Sequence, residues 1–240
     1  MAPASADFLA QRGAIELVLK QPQKARQDFD KALELDPRQA DARMRRAAAR
    51  ARDKDTDGAL SDLAELDKTL APEAPMRVQM GRLYMNLRAR TEAVAQFDLW
   101  VPHHPHEFQI ENVLSDRCWA RVESNVDLDK AFNDCDAAVD ADSKNPVFLA
   151  GRGWARLRQD KSSKARDDFD RSLAIRPANA LTLYGRALAE QRLGDAPAGQ
   201  ADLAAARKIE ASIDARVKRA GLPLAPDAPP LPPAASDALQ

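Results

Sequence analysis

The sequence predicts an all-α protein built as a stacked array of helix pairs, and three in-phase observations predict it. A small residue recurs at Ala25, Ala59, Ala93, Ala131, Ala165 and Gly199, every 34 residues apart from one step of 38. Four positions after each comes a large or soft apolar residue: Phe29, Leu63, Phe97, Cys135, Phe169 and Leu203. Twelve positions before each stands Gly13, Ala47, Gly81, Trp119, Gly153 or Ala187. A period of this length is the mark of a stacked array, in which each unit buries its apolar face against its neighbours.

The elements follow from that frame. The first unit starts a helix near Ala6, turns at Lys20-Gln21-Pro22 and runs a second helix to Leu35-Asp36-Pro37. Gly or Ala in the first helix lets the second approach at Ala25 and Ala32, and Phe29 fills the space beside that contact. Proline then stops the second helix, because the residue before it is pushed out of the helical region. Pro37, Pro105 and Pro177 hold this slot, Pro72 lies one residue late, and Ser143 and Ala211 replace it. In the third unit Gly81 is expected opposite Trp100. In the fourth, Trp119 is large where Ala131 and Ala138 are small. Large against small conserves volume, so these tryptophans read as core filling.

The second half of the first unit, KARQDFDKALELDP, and that of the fifth, KARDDFDRSLAIRP, resemble the tetratricopeptide repeat. The resemblance spans six units, at 6–39, 40–73, 74–107, 112–145, 146–179 and 180–213. It implies a right-handed superhelical α-solenoid of helix-turn-helix units. Residues 1–5 form an N-terminal extension and 108–111 an insertion after the third unit. A capping helix is expected over 214–221, ended by Gly221. The proline-rich stretch 222–240 reads as a disordered tail.

Net charge is −1 with 30% charged residues, which argues against a general nucleic-acid binder. No apolar run approaches the ~20 residues needed to span a membrane. The start, MAPASADFLAQRG, lacks a basic segment followed by an apolar one. A cytoplasmic location is therefore expected, or an exported one if an export signal is missing and Cys118 and Cys135 are bridged. Those cysteines fall on the two helices of the fourth unit and face one seam, so a disulfide is geometrically possible. Two reduced, buried cysteines are the other reading.

No phosphate loop, nucleophile motif or zinc-protease helix is present, so neither catalysis nor a cofactor is expected. The resemblance implies instead a scaffold that takes a protein or peptide partner in a concave groove lined by first helices. By phase the groove candidates are Met44, Arg52, Val78, Arg82, Met85 and Asn86, then Trp154, Arg158, Tyr184 and Arg192. The arginines at positions 43, 45, 46, 50 and 52 form either a solvated basic face or an anchor for an acidic segment. All three histidines lie in His103-His104-Pro105-His106. With Trp154 they support the alternative, a metal- or small-molecule-binding accessory protein.

One further pattern concerns charge. The slot before each Gly13-type residue holds Arg12, Arg46, Met80, Cys118, Arg152 and Arg186. The slot three after each Ala25-type residue holds Asp28, Asp62, Gln96, Asp134, Asp168 and Asp202. Arginine in a slot facing the partner helix needs a carboxylate there, so Arg152–Asp168 and its counterparts are expected to pair.

Overall fold

The computed structural model describes residues 5–227. Among these, helices follow one another in antiparallel pairs: α1 (Ala6–Val18) with α2 (Pro22–Leu35), α3 (Ala40–Arg52) with α4 (Thr56–Asp67), and α5 (Met76–Asn86) with α6 (Arg90–Trp100). Then come α7 (Ile110–Ser124) with α8 (Leu128–Ala141), α9 (Pro146–Arg158) with α10 (Ser162–Ile175), α11 (Ala180–Arg192) with α12 (Ala196–Ile209), and a last helix α13 (Ile213–Arg219). The chain divides at His104–Pro105 into two compact units, the first holding α1–α6 and the second α7–α13. The division falls at the short 3-10 turn Val101–His103 and the insertion after it. Of the inserted residues, Ile110 and Glu111 open α7, while Phe108 stands 84% exposed in the loop.

In the first, third and fifth pairs the seam is glycine against phenylalanine. A Cβ built on Gly13, Gly81 or Gly153 would lie 2.6–2.7 Å from the ring of Phe29, Phe97 or Phe169. No side chain fits there, so glycine is what lets the second helix come close. Gly81 thus faces Phe97, not Trp100 as the sequence suggests; Trp100 stacks on His104 with ring centroids 4.1 Å apart. Ala25, Ala59, Ala93, Ala131 and Ala165 are fully buried, as a close-packed seam requires. Most turns within a pair pass through one left-handed residue, Lys20, Lys54, Arg88, Asp160 or Gly194, which closes the first helix.

The arginine–aspartate pairs are present and do more than join two helices. Arg152 grips Asp168 through Nε and Nη2 at 3.0 and 2.7 Å, while its Nη1 reaches back 2.8 Å to Asp136 in the preceding pair. Arg46 spans Asp62 and Asp30 in the same way, and Arg186 spans Asp202 and Asp170. Each arginine therefore ties its own pair together and sets the register with the pair before it. Among the described residues Arg12 makes only the first contact, with Asp28.

Where the slots change, the ion pair moves. Met80 replaces the arginine, and Arg77 one turn earlier bonds Gln96 and Asp67, each at 2.6 Å. Cys118 replaces it in α7, and Arg117 with Arg121 supplies Asp134 instead. The freed slot carries a disulfide: Cys118 and Cys135 are bridged across α7 and α8, with Cα atoms 5.5 Å apart.

Candidate binding surface

In the second unit the first helices pack on one another, α7 on α9 and α9 on α11, whereas no comparable packing joins α8 to α10 or α10 to α12. The first-helix layer is therefore the tighter, inner side. A cleft of about 340 Å³ opens on it, lined by Trp119 and Glu123 of α7, Val147 and Ala150 of α9, and Leu181 and Thr182 of α11. Trp119, read from sequence as core filling, is half-buried and turns its ring toward this cleft, its indole edge held against Gly151.

Trp154 is a second correction. Its ring was expected in the groove, but it is completely buried, set edge-on to Phe169 with centroids 5.9 Å apart. The reason is Gly185 on the next first helix. A Cβ there would meet Phe169 at 2.6 Å and Trp154 at 3.0 Å. The large residue is thus balanced by a missing side chain 31 positions on, in another pair, where a reading confined to one repeat does not look.

Tyr184 and Arg158 do lie on the inner side, and the protein covers them itself. Past α13 the chain turns at Gly221, whose φ of +70° a side chain would strain. A Cβ on Gly221 would lie 2.5 Å from the carbonyl oxygen of Glu123, so this turn also presses on α7. From there the segment crosses the first helices. The Arg158 guanidinium donates to the Gly221 carbonyl, and the Ala225 N–H donates to the Tyr184 hydroxyl at 2.9 Å. That hydroxyl in turn donates to Asp214 at 3.0 Å. Leu222 and Ala225 are 5% and 4% exposed. Residues 222–227 are therefore docked, contrary to the expected disordered tail; the rest of that tail, 228–240, lies outside the described residues.

The electrostatics follow the burial. Burial pushes the Tyr184 hydroxyl up to about 12; the Ala225 N–H opposes this and the Asp214 carboxylate reinforces it. Burial also draws the Arg158 guanidinium below its usual range, and the nearby Arg192 adds to this. Arg192 is exposed and anchors on the Leu157 carbonyl and Asp160 at 2.7 and 3.1 Å.

In the first unit Met44 and Val78 are buried, whereas Arg52, Arg82 and Asn86 are exposed and Met85 is half-buried. The arginine-rich stretch of α3 is neither a plain solvated face nor an open anchor. Arg43, Arg46 and Arg50 converge on Asp62, and Arg45 pairs with Asp41. Acidic neighbours have already taken up the positive charge that a partner would read.

The family profile described as tetratricopeptide repeat matches residues 6–39. A tetratricopeptide repeat protein from Parabacteroides merdae superposes with a TM-score of 0.68, covering 90% of this chain and 89% of its own, at 13% identity. The chain has the tetratricopeptide repeat fold. PilW, described as a type IV pilus biogenesis factor, is similar at a TM-score of 0.64 and 16% identity, over 85% of this chain and 92% of its own. YrrB, described as having an unusual peptide-binding site, follows at 0.54 and 15%, over 76% and 92%. No curated protein sequence matches the chain significantly.

The histidine alternative draws no support from the geometry of these residues. His104 is committed to Trp100, by stacking and by a 2.9 Å contact between its Nδ1 and the Trp100 carbonyl. Among the described residues no three His, Cys, Asp or Glu side chains converge as metal ligands would. Trp154, the other half of that reading, has no exposed surface. No helix of the described residues is long and apolar enough to cross a membrane.

Proposed function

We propose that this protein is a non-catalytic scaffold that binds an extended peptide or protein segment on the first-helix layer. One observation carries the reading: residues 221–227 of the chain already lie on that layer as such a segment would. Two backbone groups of that segment, the Gly221 carbonyl and the Ala225 N–H, are met by Arg158 and Tyr184, and two small apolar side chains are buried. Backbone capture with apolar anchors is how an extended peptide is recognised without a deep pocket. The cleft beside it, walled by Trp119 and Arg216, extends the same layer for a longer ligand. In the first unit the exposed Arg82 and Asn86 and the half-buried Met85 of α5 are the corresponding contacts. The Cys118–Cys135 bridge favours an oxidising compartment, hence an exported protein.

Peptide-display selection against the whole protein and against Leu222→Asp tests this. The variant should release the docked segment and yield stronger binders, and those binders should weaken with Arg158→Ala. Selection that yields no binder to either protein, or binders indifferent to Arg158, would refute the reading.

A further inference from the structure

The outer face of α1 is an inter-pair contact surface with nothing on it among the described residues. Phe8, Arg12, Ile15 and Leu19 form one stripe at helical spacing. Phe8 is 53%, Ile15 59% and Leu19 61% exposed. The residues that occupy the Phe8 slot in α3, α9 and α11, namely Ala42, Phe148 and Thr182, are at most 4% exposed. Those in the Ile15 slot, Ala49, Ala155 and Ala189, are at most 7% exposed. In those helices the second helix of the preceding pair covers the stripe. The arginine tells the same story. The Arg12 side chain is 46% exposed, against 15% for Arg46 and 8% for Arg152. Its Nη1 lacks the backward aspartate that Arg46, Arg152 and Arg186 each have.

The covered stripes say what the missing helix must carry. The helices that cover them supply an aspartate to the arginine and, three residues on, an apolar side chain: Asp30 and Leu33, Asp136 and Val139, Asp170 and Leu173. Val139 packs in one cluster with Phe148, the occupant of the Phe8 slot. Where the preceding helix has Ala64 instead of aspartate, the next pair has Met80 instead of arginine. At four of the five joints the arginine slot and the aspartate slot before it are filled or lost together, the exception being Asp98 ahead of Cys118, so an arginine kept in α1 points to an aspartate-bearing helix in front of it.

We infer that the α1 face docks an amphipathic helix of a partner protein with the pattern Asp-x-x-Leu or Asp-x-x-Val. Its carboxylate accepts from Arg12 Nη1 and its aliphatic side chain covers Phe8 and Ile15. A second copy of this chain does not supply that helix at its far end. There the two positions are Ala204 and Arg207, so head-to-tail stacking would set a cation against Phe8 and Arg12. Arg207 is besides already engaged by Asp214 and Asp227. This surface is separate from the first-helix layer proposed above as the peptide site.

The probe is a staple-constrained helical peptide carrying the α10 sequence Ser162–Ile175, which contains Asp170 and Leu173, titrated into the whole protein and followed by amide NMR shifts. Shifts should concentrate on α1, and replacing the peptide aspartate by alanine should weaken binding about tenfold, the scale of one charge-assisted contact. Ile15→Lys, at an exposed position that leaves the core intact, should abolish the shifts on α1. The inference is overturned if the constrained peptide leaves α1 unshifted, or binds equally well without its aspartate. It is also overturned if the free protein sediments as a dimer that Ile15→Lys converts to a monomer, because a second copy would then own the face.

Discussion

The two ends of the repeat array are treated in opposite ways. At the start, α1 shows water the surface that α3, α9 and α11 bury, with Phe8 and Ile15 more than half exposed. At the finish, α13 seats Ile213 and Val217, both fully buried, against the last pair, and Arg207 closes the end on Asp214. One end keeps the chemistry of an internal joint, and the other has replaced it with a closure of its own. The difference shows that a repeat sequence encodes its neighbours as well as itself. An arginine half satisfied by its own pair is a statement about the pair that should precede it.

The sharpest way to break this comparison is to cut the arginine ladder in the middle and at the exposed end. Asp168 is 1% exposed and receives Arg152 on both oxygens, with Arg156 at 2.6 Å as well. Asp168→Ala strands buried guanidinium groups and should cost about 3–5 kcal/mol in urea unfolding. Asp28→Ala should cost clearly less, because Arg12 can turn to water. Equal losses would show that the ladder is no more buried at its centre than at its start.

The disulfide separates the two units. It lies wholly in the second and closes a separation of 17 residues. A loop of that size is worth about 3 kcal/mol through the unfolded chain. Reduction, or Cys118→Ser, should lower the unfolding midpoint of the α7–α13 unit and leave the α1–α6 unit where it was. A fall in both transitions would mean that the two units unfold as one.

The C-terminal closure should be the easier one to open. Leu222→Asp places a charge where a leucine is 5% exposed, and should cost about 2–3 kcal/mol of local stability, the value of burying that side chain. Hydrogen exchange should quicken over 220–227 and at the end of α13, while the α9 and α10 amides stay protected. Uniformly faster exchange through the second unit would make the segment part of the core.

Much of the fold was legible because the repeat prints it several times: pair boundaries, the glycine seam and the arginine–aspartate slots all recur in phase. What was not legible lies between repeats. Trp154 is in the core because Gly185, in the following pair, lacks a side chain. The arginines of α3 are neutralised by Asp30, Asp41 and Asp62 on three helices, a convergence that counting charges along one helix does not reveal. The docking of 222–227 was hidden by composition. Prolines rule out a helix there but not an extended segment held by Arg158 and Tyr184.

The smallest predicted effect is also the most local, because each unit contains one tyrosine. Tyr84 in α5 and Tyr184 in α11 are both pushed up to about 12, mainly by burial; carboxylates add to this for Tyr84, from Asp67 and Glu92. A hydroxyl whose folded value lies above its ordinary value near 10 stabilises the fold fully below pH 10 and progressively loses that contribution as pH rises toward 12. Absorbance at 295 nm should therefore show little phenolate at pH 10, then both tyrosines ionising together near the top of that window. In Leu222→Asp only Tyr184 loses its cover, and with it both the burial that raises the hydroxyl and the weaker, opposing Ala225 N–H, so the loss of burial decides the direction. Half of the amplitude should then move toward pH 10, with Tyr84 left behind as the internal standard. If the variant titrates like the parent, burial by α13 alone protects Tyr184, and the segment rests on the first-helix layer without closing it.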